Sequence, residues 1–254
     1  MIRAVLPVAT AAMLAVPAMA QRDFAPDKVD KSAIGTRFKL AEEAVDTSDM
    51  RIMQKKIIRC TASGDRNLAR EILQKSDPVT IDHAQLSIEY GAMMDKMNFD
   101  RCMARAMPRN ARMMRIRFLN SVVRNALAEE IYLYENKEPL VIAEGDLEYL
   151  DNRYYAGGRP YAMAEVPARL ADCIVYRAPE KSHEFVGTNP TSSGEREAAE
   201  ALSQTVNECL PGGDGEVSLS LAQLRAYVAD GLWSRSYYGG TRNGEVAAEG
   251  GEIE

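Results

Sequence analysis

From residue 48 onward the apolar positions fall into helical stripes separated by turn formers. Met53, Ile57 and Cys60 stand at i, i+4 and i+7, and Asp46, Thr47 and Ser48 offer N-caps just upstream, so a first helix is expected here. Ser63-Gly64-Asp65 breaks it. In a second helix Leu68, Ile72 and Leu73 face inward, and Ser76-Asp77-Pro78 ends it, because proline disfavours helix at the residue before it. A third begins near Asp82, with Gln85 at the capping-box position, and its stripe of Leu86, Tyr90, Met93 and Met97 continues to Cys102. Between Ala111 and Asn120 the period shortens to two: Met114, Ile116 and Phe118 alternate with Arg115 and Arg117, the pattern of a short half-buried strand. A helix carrying Val123, Leu127 and Ile131 follows.

The same series returns later in the chain. A helix is predicted from Val166 to Val175, a shorter one from Lys181 to Val186, then a turn at Thr188-Asn189-Pro190. Ser192 and Glu195 form a capping box for a helix running to Cys209. Val217, Leu219 and Leu221 then alternate with Ser218 and Ser220 ahead of a helix with Leu224, Val228 and Leu232. Apolar periodicity is weak between Arg177 and Gly194, so the second helix of this half has the least support.

The two series align. Glu71-Ile72-Leu73 lies over Glu184-Phe185-Val186 at an offset of 113, and Val123, Arg124, Leu127, Ala128, Glu129 and Ile131 map onto Leu224, Arg225, Val228, Ala229, Asp230 and Leu232 at an offset of 101. Tyr132 or Trp233 comes next. A recurrence of this kind marks one unit duplicated. The fold expected is mainly α: two tandem helical modules, about four helices in each, with a short alternating segment before the last helix. Their bounds are 48–137 and 165–238, preceded by an arm over 21–47 that holds a short helix near Lys39 to Val45. A connector over 138–164 carries Tyr149, Tyr154, Tyr155 and Tyr161, and a glycine-rich acidic tail over 239–254 has too little to bury and is expected to be disordered.

The amino terminus changes the setting. Residues 1–20 carry a single charge, Arg3, then an apolar run from Ala4 to Val16 and the small-x-small triplet Ala18-Met19-Ala20, which reads as a signal peptide cleaved before Gln21. The run is shorter than the roughly 18 residues a spanning helix needs, and no later stretch comes near that length, so no integral span is expected after cleavage. The address implied is periplasmic or secreted. Cleavage removes one of 31 basic residues and none of 37 acidic ones, which moves the formal charge from −6 to −7 and argues against nucleic-acid binding.

In an exported chain four cysteines read as two disulfides, for which three connectivities exist. The duplication selects Cys60 with Cys102 and Cys173 with Cys209, each module closing its own bridge. A zinc site is the competing reading. The absence of a C-x-x-C pair, and of a histidine at ligand spacing from any cysteine, speaks against it, so no metal or cofactor is expected.

Candidate chemistry is sparse. Arg101, Arg105, Arg109, Arg112, Arg115 and Arg117 put six guanidinium groups within seventeen residues of an acidic protein, a candidate anion-binding patch that module two does not repeat; a solvated, locally paired face is the plainer account. Arg124 and Arg225 recur, each followed five residues later by Glu129 or Asp230. That spacing separates the partners by roughly 140 degrees around a helix, so each reaches across to another element rather than to its neighbour. Packing about a pseudo-twofold axis would let the two acids approach as a glycosidase-like pair, although scaffold acids are far commoner. His83 and His183 are not equivalent in the duplication, and the methionines clustered from Met93 to Met114 form either core or an adaptable groove. No G-x-S-x-G, H-E-x-x-H or P-loop spacing occurs.

A cysteine in a first helix, a second closing a third, and an alternating segment leading to R-N-A-L-A-E-E-I-Y or R-A-Y-V-A-D-G-L-W resembles uncharacterised exported alphaproteobacterial proteins with a tandem Cys-bracketed helical repeat. The resemblance covers residues 50–238. It implies a tandem helical fold and a periplasmic address, and it brings no catalytic or ligand residue with it. The expected function is accordingly a non-enzymatic interaction or envelope-associated role with a protein partner. The alternatives are an enzyme with its site between the modules and a binder of anionic envelope components through the Arg101 to Arg117 cluster. In the oxidised chain a thiol titration should return none of the four cysteines free before reductant and all four after it; four free thiols at the outset would remove the bridged reading.

Overall fold

A computed structural model describes residues 37–40, 46–107, 118–210 and 216–239. Among these the protein is mainly helical, with ten helices and two four-residue strands. Residues 1–36, 41–45, 108–117, 211–215 and 240–254, which include the expected signal peptide, most of the expected arm and the expected tail, lie outside the described residues.

Strand β1 (Arg37–Leu40) precedes helix α1 (Asp46–Gly64). Helix α2 (Arg66–Gln74) is capped by Asp65, whose carboxylate accepts from the Leu68 N–H, and it buries Ala69, Ile72 and Leu73. The single third helix expected from Asp82 to Cys102 is instead three: α3 (His83–Leu86), α4 (Tyr90–Lys96) and α5 (Phe99–Ala106). Ser87 and Asn98 break it, at φ +52° and +53°, in the left-handed region that short polar residues tolerate. The apolar stripe survives the breaks, because Leu86, Met93, Met97 and Cys102 are all buried while Tyr90 is exposed.

Helix α6 (Asn120–Glu135) follows, then an irregular connector, then α7 (Ala162–Arg177), which begins four residues before the expected Val166. Pro167 sits inside α7; it has no N–H to donate back to the carbonyl of Met163, and Met163 is well exposed, so water can serve that group. The weakly patterned stretch after Arg177 does form a helix, α8 (Pro179–Gly187), with proline at its first position, where the missing donor costs nothing. Its inward face is Ser182, Phe185 and Val186, and the buried serine is what blurred the pattern. In α9 (Ser193–Cys209) Ser192 accepts from the Glu195 N–H as expected, but the Glu195 carboxylate goes to the Thr191 N–H rather than closing the capping box.

Strand β2 (Glu216–Leu219) realises the alternation after Cys209 and leads into α10 (Leu221–Tyr238), which is opened by a Ser220–Gln223 capping box. Its partner is β1: the two run parallel, with Phe38 opposite Val217 and Leu40 opposite Leu219. Lys39 and Leu40 are therefore strand and not the start of a helix. Both tetrapeptides alternate polar and apolar, and pairing satisfies main-chain groups that a lone strand would leave open. The alternating segment expected before α6 falls almost wholly in the undescribed 108–117.

Two disulfides pin the outer helices. Cys60–Cys102 joins α1 to α5, and Cys173–Cys209 joins α7 to α9, with Cα separations of 5.6 and 5.7 Å. The core centres on α6 and α10, which pack along each other, and α10 also packs closely on α7. Among the described residues no helix is long and apolar enough to cross a membrane.

The α7–α10 contact depends on Gly231. A Cβ there would stand 2.5 Å from the Ala171 carbonyl oxygen, a main-chain atom with no room to yield. Gly231→Ala should therefore force the helices apart and lower unfolding free energy by about 1–3 kcal/mol. Chemical denaturation checks this; an unchanged midpoint would mean that the two helices do not pack this closely.

Candidate functional site

The recurring arginine and acid on α6 and α10 find each other across the helix pair. Arg225 grips Glu129 with two parallel hydrogen bonds, Nε to Oε2 at 2.7 Å and Nη2 to Oε1 at 2.9 Å, while Arg124 Nη1 donates to Asp230 Oδ1. Five residues forward on one helix matches five back on the other, so the helices are antiparallel and the exchange is reciprocal. All four side chains are buried. Each arginine also ties down the end of the second helix of its own half. Arg225 donates to the carbonyls of Phe185 and Val186 at the end of α8, and Arg124 reaches Ser76, whose hydroxyl donates to the Leu73 carbonyl of α2. A cation at a helix C-terminus complements the exposed carbonyls there.

Each acid takes a second cation, and here the halves differ. Glu129 receives Lys55 from α1, whereas Asp230 receives Arg153 from the connector. At the offset of 113, Lys55 corresponds to Ala168, whose carbonyl accepts from Arg153 at 3.4 Å. Arg153 also pairs with Asp172 of α7, and Asp172 in turn accepts the Leu150 N–H at 3.0 Å. On the other side Glu195 receives Arg51 at 2.6 Å and Arg225 at 3.0 Å. The glycosidase-like reading fails on this geometry, since each carboxylate is committed to two cations.

Small residues make the second half tight. Ala164, Ala168 and Ala171 are fully buried, and the Ala171 carbonyl lies against Gly231 of α10. At the positions 113 residues before the alanines and 101 before the glycine stand Arg51, Lys55, Ile58 and Glu130, larger side chains that line the space between α1, α6 and α10. Between them lies a cleft of about 160 Å³, walled by Ile58, Val122, Ala126, Ala226 and Pro190 and floored by the Glu129–Arg225 pair. Glu130 sits at its edge with Oε1 buried and without a hydrogen-bond partner; Lys55 Nζ is 3.6 Å away.

Burial alone would raise the carboxyl pKa of both core acids. For Glu129 the Arg225 and Lys55 charges reverse this, and for Asp230 the Arg124 and Arg153 charges do so, leaving both below the ordinary value. Asp172 goes the other way: burial pushes it up, and Arg153, shared with Asp230, does not bring it back. The connector tyrosines bind acids of the first half. Tyr154 donates to Asp82 at 2.7 Å and Tyr161 to Asp77 at 3.1 Å, and burial with the adjacent carboxylate pushes each phenol up to about 12. His183 is within 2.9 Å of the Tyr132 hydroxyl, and burial lowers its pKa.

Of the arginine cluster, Arg101 and Arg105 are exposed on α5, and Arg109, Arg112, Arg115 and Arg117 lie outside the described residues. His83 caps a local turn, bonding the Ile88 carbonyl at 3.2 Å. The methionines expected as core behave so at Met93 and Met97, both fully buried. Sequence reasoning missed Arg51, Lys55, Asp77, Arg153, Asp172 and Glu195. Only Asp172 carried a signal, a charge inside the apolar run Leu170-Ala171-Asp172-Cys173-Ile174. Among the described residues no group of three histidine, cysteine or acidic side chains is placed to hold a metal ion.

Removing one member of a buried pair strands the other, so Glu129→Gln and Asp230→Asn should each cost about 3–5 kcal/mol in denaturant unfolding. Both carboxyls are depressed in the folded state. Their contribution is thus fully present above the unfolded carboxylate pKa near 4 and is lost as pH falls through the lower folded values. A double Glu129→Gln/Asp230→Asn variant should show a shallower loss of stability on the acid side of about pH 4 than the wild type. An acid limb of unchanged slope would mean that neither group is held ionised by its partners. No family model, no curated protein and no solved structure matches this chain, so its role has to be read from its own charges and shape.

Proposed function

We propose that the chain is a non-enzymatic binding protein of the periplasm or exterior, built from two duplicated helical modules that pack as an intramolecular pseudo-dimer. The reciprocal pairing of Arg124 with Asp230 and Arg225 with Glu129 supports the duplication. A single offset of 101 relates the two pairs, and a helix pair with twofold-related contacts is what two copies of one surface produce. The same observation favours scaffold over catalysis. The strongest acid candidates, Glu129 and Asp230, are neutralised, buried and joined to the ends of α2 and α8, which suits a rigid frame and not proton transfer. Two disulfides and the absence of free cysteines among the described residues fit an oxidising compartment.

What such a frame presents is the one-sided cleft. Placing a photo-crosslinking residue at Ala222 on the cleft rim and, separately, at Glu200 on the exposed face of α9 gives the test. In the native envelope fraction a discrete adduct from position 222 and none from position 200 is expected. A turnover of envelope components by the purified protein, abolished in a Glu129→Gln variant that remains folded, would replace binding with catalysis.

A second reading rests on α5. Arg101 and Arg105 are exposed and have no ion-pair partner among the described residues, and Arg105 with Lys56 borders a shallow basin beside the Cys60–Cys102 bridge. This favours an anionic envelope component as a further ligand. Binding to anionic vesicles that weakens steadily with salt is its signature.

A further inference from the structure

The cleft between α1, α6 and α10 is polar at one edge and apolar within, and its unmet hydrogen-bonding capacity is specific. Glu130 is nine-tenths buried; its Oε2 takes the Arg59 Nε–H at 3.0 Å, but its Oε1 accepts nothing. Lys55 has three N–H donors and gives one to Glu129. The 3.6 Å between Lys55 Nζ and Glu130 Oε1 is too long for a hydrogen bond. A group that both accepts from the ammonium and donates to the carboxylate satisfies both, and a residue of extended main chain is such a group, its own C=O and N–H pointing to the same side.

The protein already holds one irregular stretch of its own main chain by this chemistry. In the connector, the Leu150 N–H donates to the Asp172 carboxylate and the Ala156 N–H to the Asp77 carboxylate, each at 3.0 Å, while Arg235 donates to the carbonyls of Leu147 and Glu148 at 2.9 and 2.8 Å. The connector lies against the second half, where Arg153 brings to Asp230 the second cation that Lys55 brings to Glu129 in the first. In the first half Glu129 and Lys55, the counterparts of Asp230 and Arg153, line an open cleft, and Glu130 stands beside them. Its apolar walls enclose about 160 Å³, close to the roughly 150 Å³ that holds a benzene molecule and hence room for one branched aliphatic side chain. Arg225 on the floor is saturated by Glu129, Glu195 and main-chain carbonyls, so it offers no anion site to compete.

We infer that this cleft binds an extended peptide segment, one aliphatic side chain filling the space between α1, α6 and α10 and the C=O and N–H of one residue bridging Lys55 and Glu130. Main-chain bonds supply affinity and the pocket supplies side-chain choice, as in other extended-peptide sites. The inference rests on the binding function proposed above and names its ligand class.

The probe is the capped tripeptide acetyl-Ala-Leu-Ala-N-methylamide, titrated into the full mature chain with amide chemical shifts as readout. Saturable shifts confined to α1, α6 and α10 are expected, with no saturation for acetyl-Gly-Gly-Gly-N-methylamide. Affinity should fall at least tenfold in Ala126→Trp, which fills the space, and in Ala222→Trp, which obstructs the exposed rim should the first variant fold poorly. Glu130→Ala, which leaves the Glu129–Arg225 pair intact, should weaken binding several-fold. Absence of saturable shifts, equal binding of the glycine probe, or undiminished binding in folded rim-blocked protein would each overturn the inference. If adducts from position 222 persist while the tripeptide does not bind, the interaction function stands and the peptide assignment falls.

Discussion

Four charges buried between α6 and α10 have to be satisfied together, and this requirement governs how the rest of the chain is arranged. Taking an ion out of water costs several kcal/mol even in a relaxed protein, and attraction in the interior offsets that cost only where geometry is good and remaining lone pairs are used. Both conditions are met: Arg225 binds Glu129 through two parallel bonds, and the two arginines also donate to groups at the ends of α2 and α8, to Asn125 and to Glu195. The surrounding contacts are made by Val123, Leu127, Ala128, Leu224, Val228 and Ala229, which would tolerate a shift by one helical turn. The charges would not, since such a shift strands all four. Apolar burial supplies the attraction between the helices, and the ion pairs fix their register.

The register in turn explains the difference between the two sides. With α6 and α10 locked, what lies beyond them depends on the size of the residues opposite. Alanines on α7 and a glycine on α10 allow helix axes to approach until main-chain atoms touch. Arginine, lysine, isoleucine and glutamate at the matching places on α1 and α6 are larger and line the space between the helices. The connector reaches one side and supplies Arg153, and the other side supplies its own cation and keeps its cleft.

Much of this was legible in the sequence, for physical reasons that are easy to state. The stripes of α1, α2, α6 and α10 are local patterns, and the recurrence of Arg124-x-x-x-x-Glu129 as Arg225-x-x-x-x-Asp230 marked the residues that meet, along with the expectation that neither pairs within its own helix. The partner across the interface was not legible, because reciprocity is a property of packing. Nor were the breaks at Ser87 and Asn98, which contain neither proline nor glycine and follow from tertiary packing of Leu86 and Met97. Lys39 and Leu40 of β1 were read as the start of a helix because the partner strand lies about 180 residues further on. Arg153 stood among turn formers with nothing to distinguish it, and Glu195 was read as a cap because its location fitted one.

The short parallel ladder of β1 with β2 ties the first described segment to the start of the last. A chain that emerges amino-terminus first therefore carries Arg37–Leu40 without a mate, and Arg124 and Glu129 without counter-ions, until the final helix has appeared. Assembly waits for α10, so a chain cut before Leu221 would lose contacts near its beginning as well as near the cut.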